Sequence, residues 1–361
     1  MTRSPCMTTT STRALLCSLV LVMPVLPVRF AAAHHGHEHH DGPGHHHVHG
    51  LQEDQEARPD DADPNTPRTS IVVRGDHRYI VSNGLPDHET GRFPNRGNPN
   101  RITAQDHRFR VPVKPVKAAR PVPVGMSCFG VAVNGVFFEA GTAEWWNNDR
   151  NSGWHIEAIG GTRNLGLDSN KAHVQPNGAY HYHAVPDGLV KKLAGDQLGK
   201  APLLIGWAAD GHPIYGPWGY EDPDDPQSEV RLLQSSWKLR KGQRPAAPEG
   251  PGGMFDGTYE EDHHFVAGSG DLDQFNGRTG VTPEFPDGTY YYVVTDQFPF
   301  VSRSWRGMPD DSFTRKGRSH GQRPGGSRRG PGRQRPGGEG ARDRRDRPGP
   351  PGGPPRRPPH R

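Results

Sequence analysis

Short apolar runs separated by glycine and proline turns are the main pattern in the central part of the chain. The runs are rich in Val, Ile, Phe, Tyr and Trp, which is typical of β-strands; they cover residues 71–73, 79–82, 129–138, 180–185, 203–208 and 289–295. Only residues 189–198 have helical spacing over more than two turns. The pattern predicts a mainly β fold: one antiparallel β-rich domain, sandwich-like or barrel-like, with long loops and few short helices, over residues 70–313.

Residues 1–33 have the composition of an export signal. Arg3 and Arg13 precede an apolar run over residues 14–28, and three alanines at positions 31–33 supply the small residues that signal peptidase accepts. The run is short for a membrane span and is interrupted by Pro24 and Pro27. We therefore expect a secreted, periplasmic or cell-envelope protein that has no transmembrane segment once the signal is removed.

Two segments of low complexity flank the predicted domain, and neither can bury a core. Residues 34–69 begin with nine histidines at positions 34–49 and continue as an acidic, proline-rich linker. Residues 314–361 are rich in Arg, Gly and Pro. Both compositions are typical of disorder. Because imidazole binds zinc, copper and nickel, the histidine-rich tract is either a metal-sequestering segment or a solvated linker.

The charge of the chain is concentrated in the C-terminal tail. From residue 315 onward there are fifteen Lys or Arg against three Asp or Glu, and residues 1–33 add three arginines. Without these two segments the formal net charge changes from +4 to −11. The positive charge of the tail is suited to binding anionic polymers of the cell envelope; the alternative is that the tail is a solubilising spacer. It lacks interleaved aromatic residues, so no specific nucleic-acid recognition is expected.

The sequence Tyr180-His181-Tyr182-His183 follows Pro176-Asn177-Gly178, which is a strong turn signal. A type I turn closed by a left-handed glycine pairs His173 with His181 across a hairpin. Alternate side chains of a strand point to opposite faces, so the three histidines then share one face and the tyrosines face the core. A two-residue turn at Asn177 and Gly178 is the alternative, and it moves His173 to the tyrosine face.

Three histidines on one face supply the three nitrogen ligands that a divalent transition metal commonly takes in proteins. The first register therefore predicts a metal site at His173, His181 and His183, with zinc or copper as the expected ion. Asp168 and Asp210 are candidates for a further ligand, and Asp210 is the candidate general base. The alternative is that these histidines are half-buried packing and hydrogen-bonding groups of the hairpin.

Five sequence blocks follow one another in an order that is typical of one family. They are Phe129-Gly130 with Asn134-Gly135-Val136-Phe137; residues 173–183; residues 204–217; Leu272-Asp273 with Asn276-Gly277-Arg278; and residues 288–292 with 298–300. Over residues 124–307 the chain resembles the YHYH domain family. The resemblance implies an exported protein and supplies no established activity.

Two classes of function are compatible with the sequence. The favoured one is an exported envelope protein that binds metal ions, with envelope carbohydrate as a further ligand held on its many tryptophans and tyrosines. The alternative is a metal-dependent envelope enzyme, similar to a hydrolase, that uses a metal-activated water. An enzyme requires a concave pocket where the histidines meet a carboxylate, whereas a binding module requires a shallow surface with exposed aromatic side chains.

Overall fold

Strands dominate the fold, as the apolar pattern predicted. The structure is a computed structural model that describes residue 63, residues 65–160 and residues 163–314. With 34% strand and 8% helix, the mainly β class is confirmed. The predicted export signal, the histidine-rich tract and the basic tail lie outside the described residues, so these assignments stay predictions.

The described residues form seventeen strands, one α-helix and four short 3-10 helices. The strands are β1 (Thr69–Arg74), β2 (His77–Ser82), β3 (His107–Pro112), β4 (Lys117–Pro123), β5 (Cys128–Ala132), β6 (Phe137–Glu139), β7 (Ala172–Val174), β8 (Tyr180–Tyr182), β9 (Leu204–Ala208), β10 (Pro213–Tyr215), β11 (Trp218–Tyr220), β12 (Val230–Leu232), β13 (Trp237–Leu239), β14 (His263–Phe265), β15 (Gly277–Thr282), β16 (Phe285–Val293) and β17 (Ser304–Gly307). The helix is α1 (Asp187–Ala194), and the 3-10 helices are Trp146–Asn148, Gly195–Gln197, Glu260–Asp262 and Asp311–Phe313.

The largest sheet has eight strands in the order β15-β16-β10-β9-β5-β6-β8-β7. Most neighbouring strands are antiparallel, as expected, but β6 pairs with β8 and β10 pairs with β16 in parallel. Both pairs join strands that are far apart in the sequence, since a parallel pair needs a long crossover connection. A three-stranded sheet β1-β2-β3 and the pairs β11-β12, β13-β14 and β17-β4 complete the fold.

The hydrophobic core lies against the middle of the eight-stranded sheet. Every residue of β5 and β6 is buried, which explains their nearly continuous apolar sequences. On one side Trp305 of β17 donates its indole N–H to the carbonyl oxygen of Phe129 at 2.8 Å. Helix α1 adds Leu189 and Val190 to the core. No helix among the described residues is long and apolar enough to cross a membrane.

Helix α1 is shorter than the sequence pattern indicated. It ends at Ala194, because Gly195 adopts φ 50° and interrupts the α-helical backbone. A 3-10 turn, Gly195–Gln197, takes up most of the remaining predicted segment. The N-terminal turn carries Asp187 and the last turn carries two lysines, an arrangement that complements the helix dipole.

Candidate metal centre

The hairpin of β7 and β8 adopts the register that places the three histidines together. His173 pairs directly with His181, and the backbone N–H of Gln175 donates to the backbone carbonyl oxygen of Ala179 at 2.9 Å. Gly178 closes the turn in the left-handed region with φ 89°. The type I turn with a left-handed glycine is therefore the turn that forms, and the two-residue alternative is not observed.

The Nε2 atoms of the three histidines converge on one point. His183 Nε2 lies 3.0 Å from His181 Nε2 and 3.2 Å from His173 Nε2. The three residues form a group whose donor atoms all lie within 4.8 Å of one another. With metal–nitrogen bonds of about 2.0–2.1 Å, neighbouring ligand nitrogens lie about 3.0 Å apart in octahedral and about 3.3 Å apart in tetrahedral geometry. The nitrogen of His183 lies at this spacing from the nitrogens of both other histidines.

The Nδ1 atoms of two histidines face away from this point toward backbone carbonyls. His173 Nδ1 lies 2.8 Å from the carbonyl oxygen of Leu165, and His181 Nδ1 lies 3.2 Å from that of Ala179. In the tautomer that donates from Nδ1, each Nε2 lone pair points at the common centre, which is the usual arrangement of a metal-bound histidine. One N–H on His183 Nε2 can satisfy only one of its two close nitrogen contacts, whereas a cation satisfies both.

Burial keeps the imidazoles of His173 and His183 uncharged. Burial, together with the nearby His181, lowers the pKa of His173 to about 4. Burial also lowers the pKa of His183 well below its ordinary value, and the neighbouring histidines and Arg303 lower it further. Both side chains are therefore neutral at pH 7, which is the form that binds a metal ion.

A carboxylate that sequence reasoning missed lies beside the three histidines. Parallel pairing of β6 with β8 places Phe137 opposite His181, so Glu139 comes to the same face two residues later. Glu139 Oε2 lies 3.0 Å from His181 Nε2. The Gln175 side chain, on the histidine face of the hairpin, donates from Nε2 to both carboxylate oxygens at 2.9 Å. The carboxylate therefore touches the edge of the cluster and is held in a fixed orientation.

The cluster lies at the base of a cleft with a volume of about 540 Å³. The walls come from three segments: the loop at residues 97–100, residues 139–144 after β6, and residues 173–176 of the hairpin. His181 and His183 are 1% and 2% exposed, while His173 is half-buried at the wall. The three histidines thus meet a carboxylate in a concave pocket of the size that small ligands occupy.

The two tyrosines of the motif lie on the opposite face and are fully buried in the core, as predicted. The Tyr180 hydroxyl donates to Asp168 Oδ2 at 2.7 Å. The Tyr182 oxygen accepts from Asn134 Nδ2 at 2.9 Å and lies 2.7 Å from His88 Nε2. Burial raises the pKa of both hydroxyls. These side chains therefore hold the hairpin in place, and Asp168 lies on the tyrosine face of the hairpin.

Asp210, the candidate general base, lies in a different part of the core. It is fully buried, and its carboxylate accepts from the Tyr292 hydroxyl at 2.6 Å and from the Gly307 amide at 2.8 Å. It is not among the described residues that line the cleft. This environment gives Asp210 a structural part in joining β16 to β17, and Glu139 is the carboxylate next to the histidines.

A buried network of charged side chains supports the wall formed by residues 139–144. His155 Nε2 lies 2.6 Å from the carbonyl oxygen of Thr142, and its Nδ1 lies 3.0 Å from Glu260 Oε1. Arg303 forms a salt bridge with Glu157 and lies 3.6 Å from the same Glu260 oxygen. The network places the positive charge of Arg303 close enough to His183 to lower its pKa.

Fold and site together define a β-rich protein with a buried three-histidine cluster at the base of a cleft. The family described as YHYH protein matches residues 108–307, which is more than half of the 361 residues. The chain belongs to this family. The match begins earlier than the resemblance seen in the sequence, and it includes all of β4 and all of β3 except His107. A search of curated proteins found no match, and a search of solved structures found none.

Proposed function

We propose that the protein is an exported metal-binding protein, whose central domain holds one divalent transition metal, zinc or copper, at His173, His181 and His183. The observation that carries the proposal is the close approach of three Nε2 atoms. The Nε2 atom of His183 lies 3.0 Å from that of His181 and 3.2 Å from that of His173. Burial and lowered pKa values keep His173 and His183 neutral at pH 7. Export through residues 1–33 is part of the proposal, and N-terminal sequencing of the mature protein tests it by the loss of these residues.

Three protein ligands leave at least one coordination position of a divalent metal for water or another ligand. In the proposed site this position faces the cleft, since the histidines lie at its base. Glu139, held by Gln175, is next to the histidine cluster and is suited to accept a hydrogen bond or a proton from a molecule bound there. A bound divalent metal lowers the pKa of a coordinated water.

The second candidate function is a metal-dependent enzyme of the hydrolase type. The observation that favours it is that the histidines meet the Glu139 carboxylate inside a concave cleft. The binding-module alternative requires exposed aromatic side chains, and among the described residues that line the cleft none is Trp, Tyr or Phe. The cleft therefore gives no support to a carbohydrate-stacking platform at this site.

Metal analysis of the full-length protein and the His181→Ala/His183→Ala variant tests the proposed site. Both proteins contain the same histidine-rich tract, so the difference in zinc content after dialysis against a weak chelator reports the cluster alone. We expect the variant to retain about one zinc less per chain, because two of three ligands are gone. Equal zinc content in the two proteins would contradict the proposal.

Two further variants control for folding and for a general effect of losing histidine. His173→Ala removes a half-buried ligand from the edge strand β7 and leaves the buried pair in place, so it reports metal loss with little damage to the core. His77→Ala removes a histidine of β2 that pairs with Asp76 outside the cleft. We expect His173→Ala to lose zinc and His77→Ala to retain the wild-type content.

A further inference from the structure

Strand β1 is an edge strand whose outer side no described strand covers. Among the described residues it pairs with β2 alone, through six consecutive residue pairs without a bulge. All six of its residues are exposed, and Ile71, Val72 and Val73 are 37%, 40% and 55% exposed. A regular, open edge with consecutive exposed β-branched residues favours pairing with a further strand.

The other edge strands of the two larger sheets are protected. In β3, the backbone N–H of Arg110 donates to Ser312 Oγ at 2.9 Å, and this hydroxyl donates to the carbonyl oxygen of Arg110 at 3.3 Å. In β7, the carbonyl oxygen of Val174 accepts from the side-chain amides of Asn98 and Asn100 at 2.9 and 2.7 Å. The register of β15 is irregular. Of these four edges, β1 is the one with consecutive exposed apolar residues.

Alternate residues of β1 present their backbone groups to the open edge. Arg68, directly before β1, donates its backbone N–H to Asn83 Oδ1 at 2.9 Å and accepts from the backbone N–H of Asn83 at 3.1 Å. Its backbone groups therefore point toward β2. Because these groups alternate in direction along a strand, those of Thr69, Ile71 and Val73 point the other way. A second antiparallel strand can bond to them.

We propose that β1 pairs antiparallel with β1 of a second copy of the chain, with Val72 on the two-fold axis. In this register Val72 faces Val72 of the second copy, and Ile71 faces Val73 of the second copy on the face that carries the buried Ile80. Pairing shields these exposed apolar side chains from water. The inference is independent of the metal site.

Charge complementarity selects this register. Residues directly opposite each other share a face, so a two-fold axis at Val72 or at Ile71 pairs five residues of each strand. With the axis at Val72, Arg68 lies opposite the exposed Asp76 of the second copy. With the axis at Ile71, Arg68 lies opposite Arg74 of the second copy, and like charges directly opposite are destabilising.

The paired sheet is closed and the contact is small. Its strand order is β3-β2-β1-β1-β2-β3, so both ends are the protected β3 edges and association stops at the dimer. Two six-residue strands form a contact smaller than a standard protein interface. We therefore expect a dimer that dissociates on dilution.

Sedimentation equilibrium of the full-length protein tests the association, with a chelator present so that metal ions do not bridge the histidine-rich tracts. We expect a reversible monomer–dimer equilibrium in the wild type. Val72→Lys is expected to raise the dimer dissociation constant by about tenfold, because it places two like charges opposite each other. Val116→Lys, a change at an exposed valine outside β1, is the matched control and is expected to leave the constant unchanged.

Cysteine cross-linking tests the register. In the proposed dimer the Cα atoms of the two Val72 residues form a pair without backbone hydrogen bonds, about 4.5 Å apart, which is within the range of a disulfide. The two Ser70 residues lie on the same face but more than about 12 Å apart. Under mild oxidation we expect Val72→Cys to form a covalent dimer, and Ser70→Cys to behave like the wild type.

Three results would overturn the inference. The first is a wild-type protein that stays monomeric up to about 1 mM. The second is a dimer that Val72→Lys leaves as stable as in the wild type, since association would then use another surface; an unchanged urea-unfolding slope shows that this variant is folded. The third is cross-linking of Ser70→Cys as readily as Val72→Cys, which is incompatible with the proposed register.

Discussion

Replacing Tyr182 with phenylalanine removes a single hydroxyl group from the buried tyrosine face of the hairpin. The hydroxyl oxygen accepts from Asn134 Nδ2 at 2.9 Å and lies 2.7 Å from His88 Nε2. A typical hydrogen bond contributes about 1 kcal/mol to stability, and a buried polar group left without a partner costs about 1–3 kcal/mol. Asn134 keeps the carboxylate of Asp87 as an acceptor at 2.9 Å, and His88 is only half-buried. We therefore expect a loss of about 1–2 kcal/mol.

The assay combines stability and metal content for Tyr182→Phe and for His181→Ala. Urea unfolding in the presence of a chelator gives the free energy of unfolding of the metal-free proteins, and an unchanged slope shows that the fold is retained. Metal analysis after zinc loading gives the number of ions bound. We expect Tyr182→Phe to be less stable and to bind zinc as the wild type does, whereas His181→Ala loses the ion.

The two halves of the motif thus have different predicted roles, and the comparison separates them. If Tyr182→Phe lost zinc as completely as His181→Ala while its unfolding slope stayed unchanged, the tyrosine would belong to the binding site. The assignment of the tyrosines to the core alone would then be wrong.

Two further predictions concern the turn and the charge network. Gly178→Ala is expected to cost more stability than Gly153→Ala. Both glycines have positive φ, and this backbone conformation costs a residue with a Cβ about 1–2 kcal/mol. Only at Gly178 would the added Cβ also clash, because it would lie 1.9 Å from Thr103 Oγ1. Equal losses in urea unfolding would refute the close contact. Burial lowers the pKa of His155, but the hydrogen bond and charge of Glu260 outweigh burial and raise it above 6.5. The stabilisation is therefore present below pH 6.5 and is lost as the pH rises through the raised pKa, so the wild type should lose stability relative to His155→Gln over that range. Parallel stability curves for the two proteins would contradict this sign.

The hairpin could be predicted from the sequence because its information is local. Proline, asparagine and glycine in succession favour one turn, and Gly178 in the left-handed region fixes the pairing of His173 with His181. Once this register is fixed, strand alternation separates the histidine face from the tyrosine face. The three histidines and the buried tyrosines follow from a few adjacent residues without knowledge of the remaining fold.

The carboxylate beside the histidines could not be predicted because it depends on a long-range strand pairing. Glu139 reaches His181 only because β6 and β8 are parallel neighbours, and 40 positions of sequence separate the strands that pair. The environment of Asp210 could not be predicted either, because it also depends on residues far away in the sequence. Its position in the sequence, in a turn next to an apolar run, gave no sign that Tyr292 and Gly307 would enclose it.

The central claim is that His173, His181 and His183 bind one metal ion together, and anomalous diffraction from crystals of zinc-loaded protein tests it most directly. We predict a single anomalous peak among the three Nε2 atoms, about 2.0–2.1 Å from each. Crystals that contain zinc but show no peak at this position, or a peak bound by only one of the three histidines, would contradict the claim.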